Sequence, residues 1–188
     1  MELLPLNDVR WKDLCHRDFS DGEPSDWVPD APFVPDVLTK LVDRPESLDI
    51  WNDLWPWLCS EGTAWSAAFA VVPYAVEFAR RVPPESRFDY LVFIGSVIQC
   101  SCPNSGPACE LKPFLKASYL QALQLALPLI GETLSADHDQ TETRYLLSAI
   151  AALKGHIRLA NVLENIDCIS AECACGESVY PDELQEVA

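Results

Sequence analysis

The residues with the most chemistry to offer in this 188-residue chain are its eight cysteines. Six of them fall in two groups. Cys100, Cys102 and Cys109 lie in a stretch punctuated by Pro103, Gly106 and Pro107, and Cys168, Cys173 and Cys175 lie in the C-terminal tail. If the two stretches converge, four thiolates can enclose a structural Zn²⁺ in a tetrahedron. Neither group has Cys-x-x-Cys spacing, and Cys-x-Cys bites tightly. Two other readings therefore stay open: free thiols packed as small apolar groups, and a disulfide or redox pair. Cys15 and Cys59 adjoin helical stripes and are expected in the core.

The other chemical residues form no recognisable constellation. His16, His138 and His156 are far apart, with no His-x3-His or His-Glu-x-x-His pattern. Cys15 and His16 are adjacent, and neighbours on a helix point away from each other. Glycine is scarce at seven, and no phosphate-binding Gly-rich loop occurs. With 29 acids in the chain, pairs of carboxylates carry little information. The expectation is a protein without catalytic activity.

Charge separates the chain into three parts. Residues 1–53 hold 13 Asp+Glu against 5 Lys+Arg, or −8; residues 54–131 hold 5 against 5; residues 132–188 hold 11 against 3, or −8. Two acidic ends thus flank a neutral middle. A net charge of −16 repels nucleic acid and anionic lipid and steers a basic macromolecule inward. The candidate contact acids are Asp49, Asp53 and Glu61 near the first helical hairpin, and Asp137 and Asp139 at the start of the last. Trp57 lies off the apolar stripe of its helix and is a candidate anchor for a partner.

The elements that must position these residues read as helices. Residues 1–45 are irregular, with a helix candidate over Asp8–Phe19 and a short one over Pro35–Val42. Trp51, Leu54, Trp55 and Leu58 then fall at i, i+3, i+4 and i+7. Pro56 is expected to kink or split that helix. Thr63 is a candidate N-cap for a stripe running from Trp65 to Ala79. Phe88, Leu91, Val92, Gly95 and Ile98 continue the pattern, as do Leu115, Tyr119, Leu120, Leu123, Leu127 and Ile130, with Gly131 closing that helix. Asp139 and Glu142 are spaced as a capping box, ahead of Leu146, Ala149, Ile150 and Leu153. Gly155 breaks this helix, and Leu159, Val162, Leu163 and Ile166 form the last stripe. Strand signals are weak. The expected fold is all-α in a single domain, with helical repeats over 46–166 and an irregular tail over 167–188.

The helices pair as 46–60 with 64–82, 84–100 with 113–131, and 141–154 with 156–166. Such pairs bury their faces by stacking on neighbours, as in HEAT-like arrays. The stretch Trp55-Pro-Trp-Leu58, Gly62-Thr-Ala-Trp65 and Ser66-Ala-Ala-Phe-Ala-Val-Val-Pro73 resembles bacterial HEAT-like α-solenoid proteins of the immunity-protein type. The tail Cys173-Ala-Cys175-Gly is similar to their cysteine-rich ends. The resemblance spans about the last two-thirds of the chain. It implies an α-solenoid that binds a protein, here a basic one such as a cognate toxin, and it brings no catalytic residues. The alternative expectation is a zinc-stapled structural or adaptor module. The N-terminus has no basic start and no run of 18 apolar residues occurs, so a cytoplasmic chain with reduced or metal-bound cysteines is expected.

Overall fold

The computed structural model describes residues 1–16, 33–60, 62–101 and 109–166, together with the backbone of two short segments, Ala171–Glu172 and Ser178–Val179. Among the described residues the fold is all-α. The helices are α1 (Val34–Asp43), α2 (Leu48–Leu58), α3 (Ser66–Arg81), α4 (Phe88–Cys100), α5 (Lys116–Thr133), α6 (Gln140–Leu153) and α7 (Ile157–Glu164). Short 3-10 turns at Val9–Asp13, Pro84–Ser86 and Pro113–Leu115 supplement them. Strand β1 (Cys59–Ser60) pairs antiparallel with β2 (Thr63–Ala64), and β3 (Ala171–Glu172) with β4 (Ser178–Val179).

Local chemistry explains most of the ends. Asp139 caps α6 by accepting the Glu142 amide at 2.7 Å. The Glu142 carboxylate does not close the capping box; it turns to His138 Nδ1 at 3.0 Å, while His138 Nε2 meets the Thr133 carbonyl at 3.0 Å. Gly155, at φ +79°, turns the chain out of α6, and the His156 amide reaches back to the Ala151 carbonyl at 2.8 Å. Pro35 occupies the first turn of α1, where no amide hydrogen is needed.

Several expected boundaries shift. The Asp8–Phe19 helix candidate is, as far as it is described, a 3-10 turn capped by Asp8. Pro56 does not split α2, and Pro73 and Pro128 lie inside continuous helices. Each proline removes one helical hydrogen bond, and the apolar burial of the flanking turns outweighs that loss. Gly131 does not close α5, which runs on to Thr133. Thr63 is in β2 rather than at an N-cap, and α3 starts behind Trp65, which makes no side-chain cap.

Helix α4 is the hub of the packing. It meets α6 most extensively, touches α2, α3 and α5, and has Tyr90 to Val97 buried without interruption. Helix α3 packs on α5 and on α4, and only Glu77, Arg80 and Arg81 of its sixteen residues escape burial. Helices α6 and α7 pair at the C-terminal side, where the buried Ser148 hydroxyl donates to the Ala160 carbonyl at 2.9 Å and accepts from Gln99 Nε2 at 3.3 Å. An aromatic cluster fills the opposite side. Trp51 meets Phe78, Tyr90 and Phe93 edge-on, with ring centroids 4.7–6.4 Å apart. Tyr90 donates to the Pro45 carbonyl and Tyr74 to the Leu4 carbonyl, tying the chain before α2 and the N-terminus onto this core.

The faces that meet mix small residues with large ones. In α5 the buried positions are Tyr119, Ala122, Ala126, Leu129, Ile130 and Thr133, whereas Leu120 is 46% exposed. In α7 Ala160 is fully buried, and Leu159 and Val162 face outward. Of the expected α5 stripe, Leu115, Tyr119 and Ile130 are buried and Leu123 packs against the core, with Leu120 turned outward; of the α7 stripe, Leu163 and Ile166 are half-buried and Leu159 and Val162 are exposed. The alanines on these sides let the backbones approach, and the large residues beside them fill the remaining space.

Candidate functional site

The candidate partner-contact acids sit on short, well-defined supports. Asp49 and Asp53 lie one turn apart on α2, which places them on one helix face, and both are exposed. Asp36, Asp43 and Glu46, from α1 and the link to α2, are exposed as well. Among the described residues none of these five is in an ion pair, although Lys40 and Arg44 share the segment. Asp137 and Asp139 are exposed at the turn from α5 to α6, and the Asp139 carboxylate is engaged as the α6 cap. Glu61 lies outside the described residues. No hydrogen bond or ion pair among the described residues links the α2 acids to the α5–α6 turn.

Trp57 does not offer a surface anchor. It is 8% exposed and meets the His16 ring edge-on at 6.2 Å. The N-terminal segment covers this end of α2 and seals the position that helical periodicity leaves outside. Trp55 and Trp65, expected in the core, are half-buried; Trp55 rests against Phe93 at 5.4 Å.

The cysteines divide differently from their spacing in sequence. Of the two expected metal-binding groups, Cys100 and Cys109 are half-buried, and Cys102, Cys168, Cys173 and Cys175 lie outside the described residues. Among the described residues, no three of the Cys, His, Asp and Glu side chains are grouped to hold a metal ion. Cys15 is exposed, with its backbone tied to α3 through Ser66 and Ala67.

Cys59, the first residue of β1, is buried against α4, whose last residue, Cys100, interacts with it. This pair is invisible in the spacing of either group. Gly62, at φ +74°, makes the turn between β1 and β2. The interaction with Cys100 raises the Cys59 thiol pKa, and burial adds to the effect. Cys100 shifts downward through its interaction with Cys59, with burial and the nearby Glu164 carboxylate opposing. Tyr119 of α5 packs its ring edge-on against Phe69 at 5.3 Å.

Elsewhere a groove of about 240 Å³ separates the N-terminal residues Leu3–Pro5 and Arg10 from Phe114 and Ser118. No described helix is long and apolar enough to cross a membrane. The chain matches no family model, no curated protein and no solved structure.

Proposed function

We propose that this chain is a non-catalytic, acidic protein-binding module that neutralises a basic protein by occlusion, as an immunity protein does its toxin. The observation that carries the reading is the unpaired acid of α1 and α2. Five exposed carboxylates face two cations there, while α3 and α4 behind them are sealed into the core. Unpaired surface acids raise the encounter rate with a basic partner and choose against anionic ones. The packing of α4 on α6 and of α3 on α5 supports a reading of the helical pairs as a short HEAT-like stack. In that arrangement a rigid helical face meets the partner, and no bound cofactor is needed.

The test is purification of the full chain from its native cell, washed at low and at high salt. The expected result is one basic protein in stoichiometric amount that survives moderate salt, and whose capture is lost with Asp49→Lys/Asp53→Lys. Recovery of only abundant basic proteins, released by mild salt, overturns the reading and leaves the acid as a solvated surface.

A further inference from the structure

We propose that this chain assembles head to tail, the basic and apolar outer face of α7 in one copy seating on the acidic α1–α2 surface of the next. The three Lys and Arg residues of the acidic C-terminal third, Arg144, Lys154 and Arg158, all fall within residues 143–163, a stretch without an acid. Lys154, His156 and Arg158 are exposed, and among the described residues none of them is in an ion pair. His156 and Arg158 line one open hollow together with Leu159. Leu159 and Val162 lie one turn apart on α7 and are 52% and 47% exposed, with Arg158 one turn before Val162. The outer side of the last described helix is thus cationic and apolar at once. A polar outer face keeps the last helix of a stack in water, whereas α7 shows two large apolar side chains there.

Charge selects the occupant. A basic macromolecule is repelled from this face, and a surface that is acidic and partly apolar complements it. The chain carries such a surface on its first two helices. Asp36, Asp43, Glu46, Asp49 and Asp53 are exposed there. So are Phe33, the cap of α1, and Val42, at 51% and 36%. Helix α1 packs on α2 and α3, whereas α7 packs on α6 and touches α4. No ion pair among the described residues joins the two surfaces within one chain. A contact between unlike patches leaves one of each free, so it repeats from copy to copy. In about 0.15 M salt the Debye length of about 8 Å screens the distant repulsion between two copies more than the attraction of groups that touch. The assembly does not rest on the α1–α2 acids being a site for another protein. Where both hold, a basic partner and a second copy compete for the same acids.

Sedimentation equilibrium of the pure full-length chain, with its thiols kept reduced, tests this. At about 100 μM protein the wild type is expected to show a mass that rises with concentration beyond that of one chain. Lys154→Glu/Arg158→Glu and Asp49→Lys/Asp53→Lys are each expected to stay monomeric. Mixed, the two variants hold one intact α7 face and one intact acidic surface between them, and they are expected to form a complex of two chains that grows no further. Circular dichroism checks that both are folded; all four positions are exposed. A wild-type chain that stays monomeric overturns the proposal and leaves the α7 face to another occupant, and this arm stands even if a variant fails to fold. Association of the wild type without any complex in the mixture also overturns it, and marks a symmetric contact instead. No basic partner is present in the measurement, so its failure and the failure of the capture experiment are separate results.

Discussion

Gly95 of α4 lies against Ala149 of α6 so closely that a Cβ on the glycine would stand 2.7 Å from both the Cα and the Cβ of Ala149. The atoms it would meet are backbone and a short methyl, with no flexible side-chain end to move aside. Gly95→Ala must push the two backbones apart. The expected cost is about 1–3 kcal/mol, as for other overpacked contacts. Gly131, in α5, has open space where a Cβ would go and is exposed. Gly131→Ala is expected to gain about 0.5–1 kcal/mol, because alanine loses less backbone freedom in a helix. Urea unfolding of both variants checks the pair, and a neutral Gly95→Ala would contradict the close crossing.

Trp51 carries the aromatic cluster, and its indole N–H finds no acceptor among the described residues. The side chain therefore contributes by packing alone and bears the cost of a buried unpaired donor. Trp51→Ala is expected to destabilise by about 3–5 kcal/mol. Trp51→Phe removes the unpaired donor along with one ring, and its cost is expected to be less than half as large. Chemical denaturation followed by far-UV circular dichroism separates the two. Equal losses would mean that the N–H has a partner.

Two carboxylates give the acid limb of stability opposite slopes. Arg10, through hydrogen bonds from its side chain and its amide, lowers the Asp8 pKa from 3.8 to about 2. A carboxyl held down in the folded chain stabilises it fully above the unfolded value, and that contribution fades as pH falls through about 2. Asp89 shifts upward, first through burial and then through Glu142. Its ionisation opposes folding, a penalty absent below the unfolded value and complete once pH exceeds the raised folded one. Asp89→Asn is therefore expected to stabilise the protein near neutral pH and leave it unchanged in acid, and Asp8→Asn to destabilise it near neutral pH. Urea midpoints at about pH 7 and about pH 3 read both signs.

Asp49 and Asp53 share one exposed face of α2, so a double charge reversal changes the local field without touching the core. Once the partner is in hand, Asp49→Lys/Asp53→Lys is expected to slow association about tenfold at low salt and to flatten its salt dependence, because steering acts mainly on the on-rate. Stopped-flow mixing at two ionic strengths measures it. Unchanged kinetics would remove this face from the interface.

The sequence by itself determined where helices lie and how several of them end. Apolar periodicity located α2 to α6, and Asp139 and Gly155 marked two ends of α6 because a carboxylate cap and a positive φ are local requirements. The uneven distribution of charge was also readable directly, since no fold is needed to count it. The stripes of α2, α4 and α6 also gave the buried side, through Trp51, Leu54, Leu58, Leu91, Leu146 and Ala149; only the tertiary structure decided the edges of that side elsewhere. In α5 the periodic stripe found Leu115, Tyr119 and Ile130, but the buried side also takes in Ala122, Ala126 and Leu129 and leaves Leu120 outside; in α7 it is Ala160 that is fully buried while Leu159 and Val162 face outward. Trp57 became interior because the N-terminal segment near His16 reaches it, a contact 41 residues away in sequence. The Cys59–Cys100 pair arose in the same way. Short-range spacing grouped Cys100 with Cys102 and Cys109, but the path of the chain through α3 and α4 returns its sulfur to β1, and proximity of that kind is a property of packing rather than of pattern.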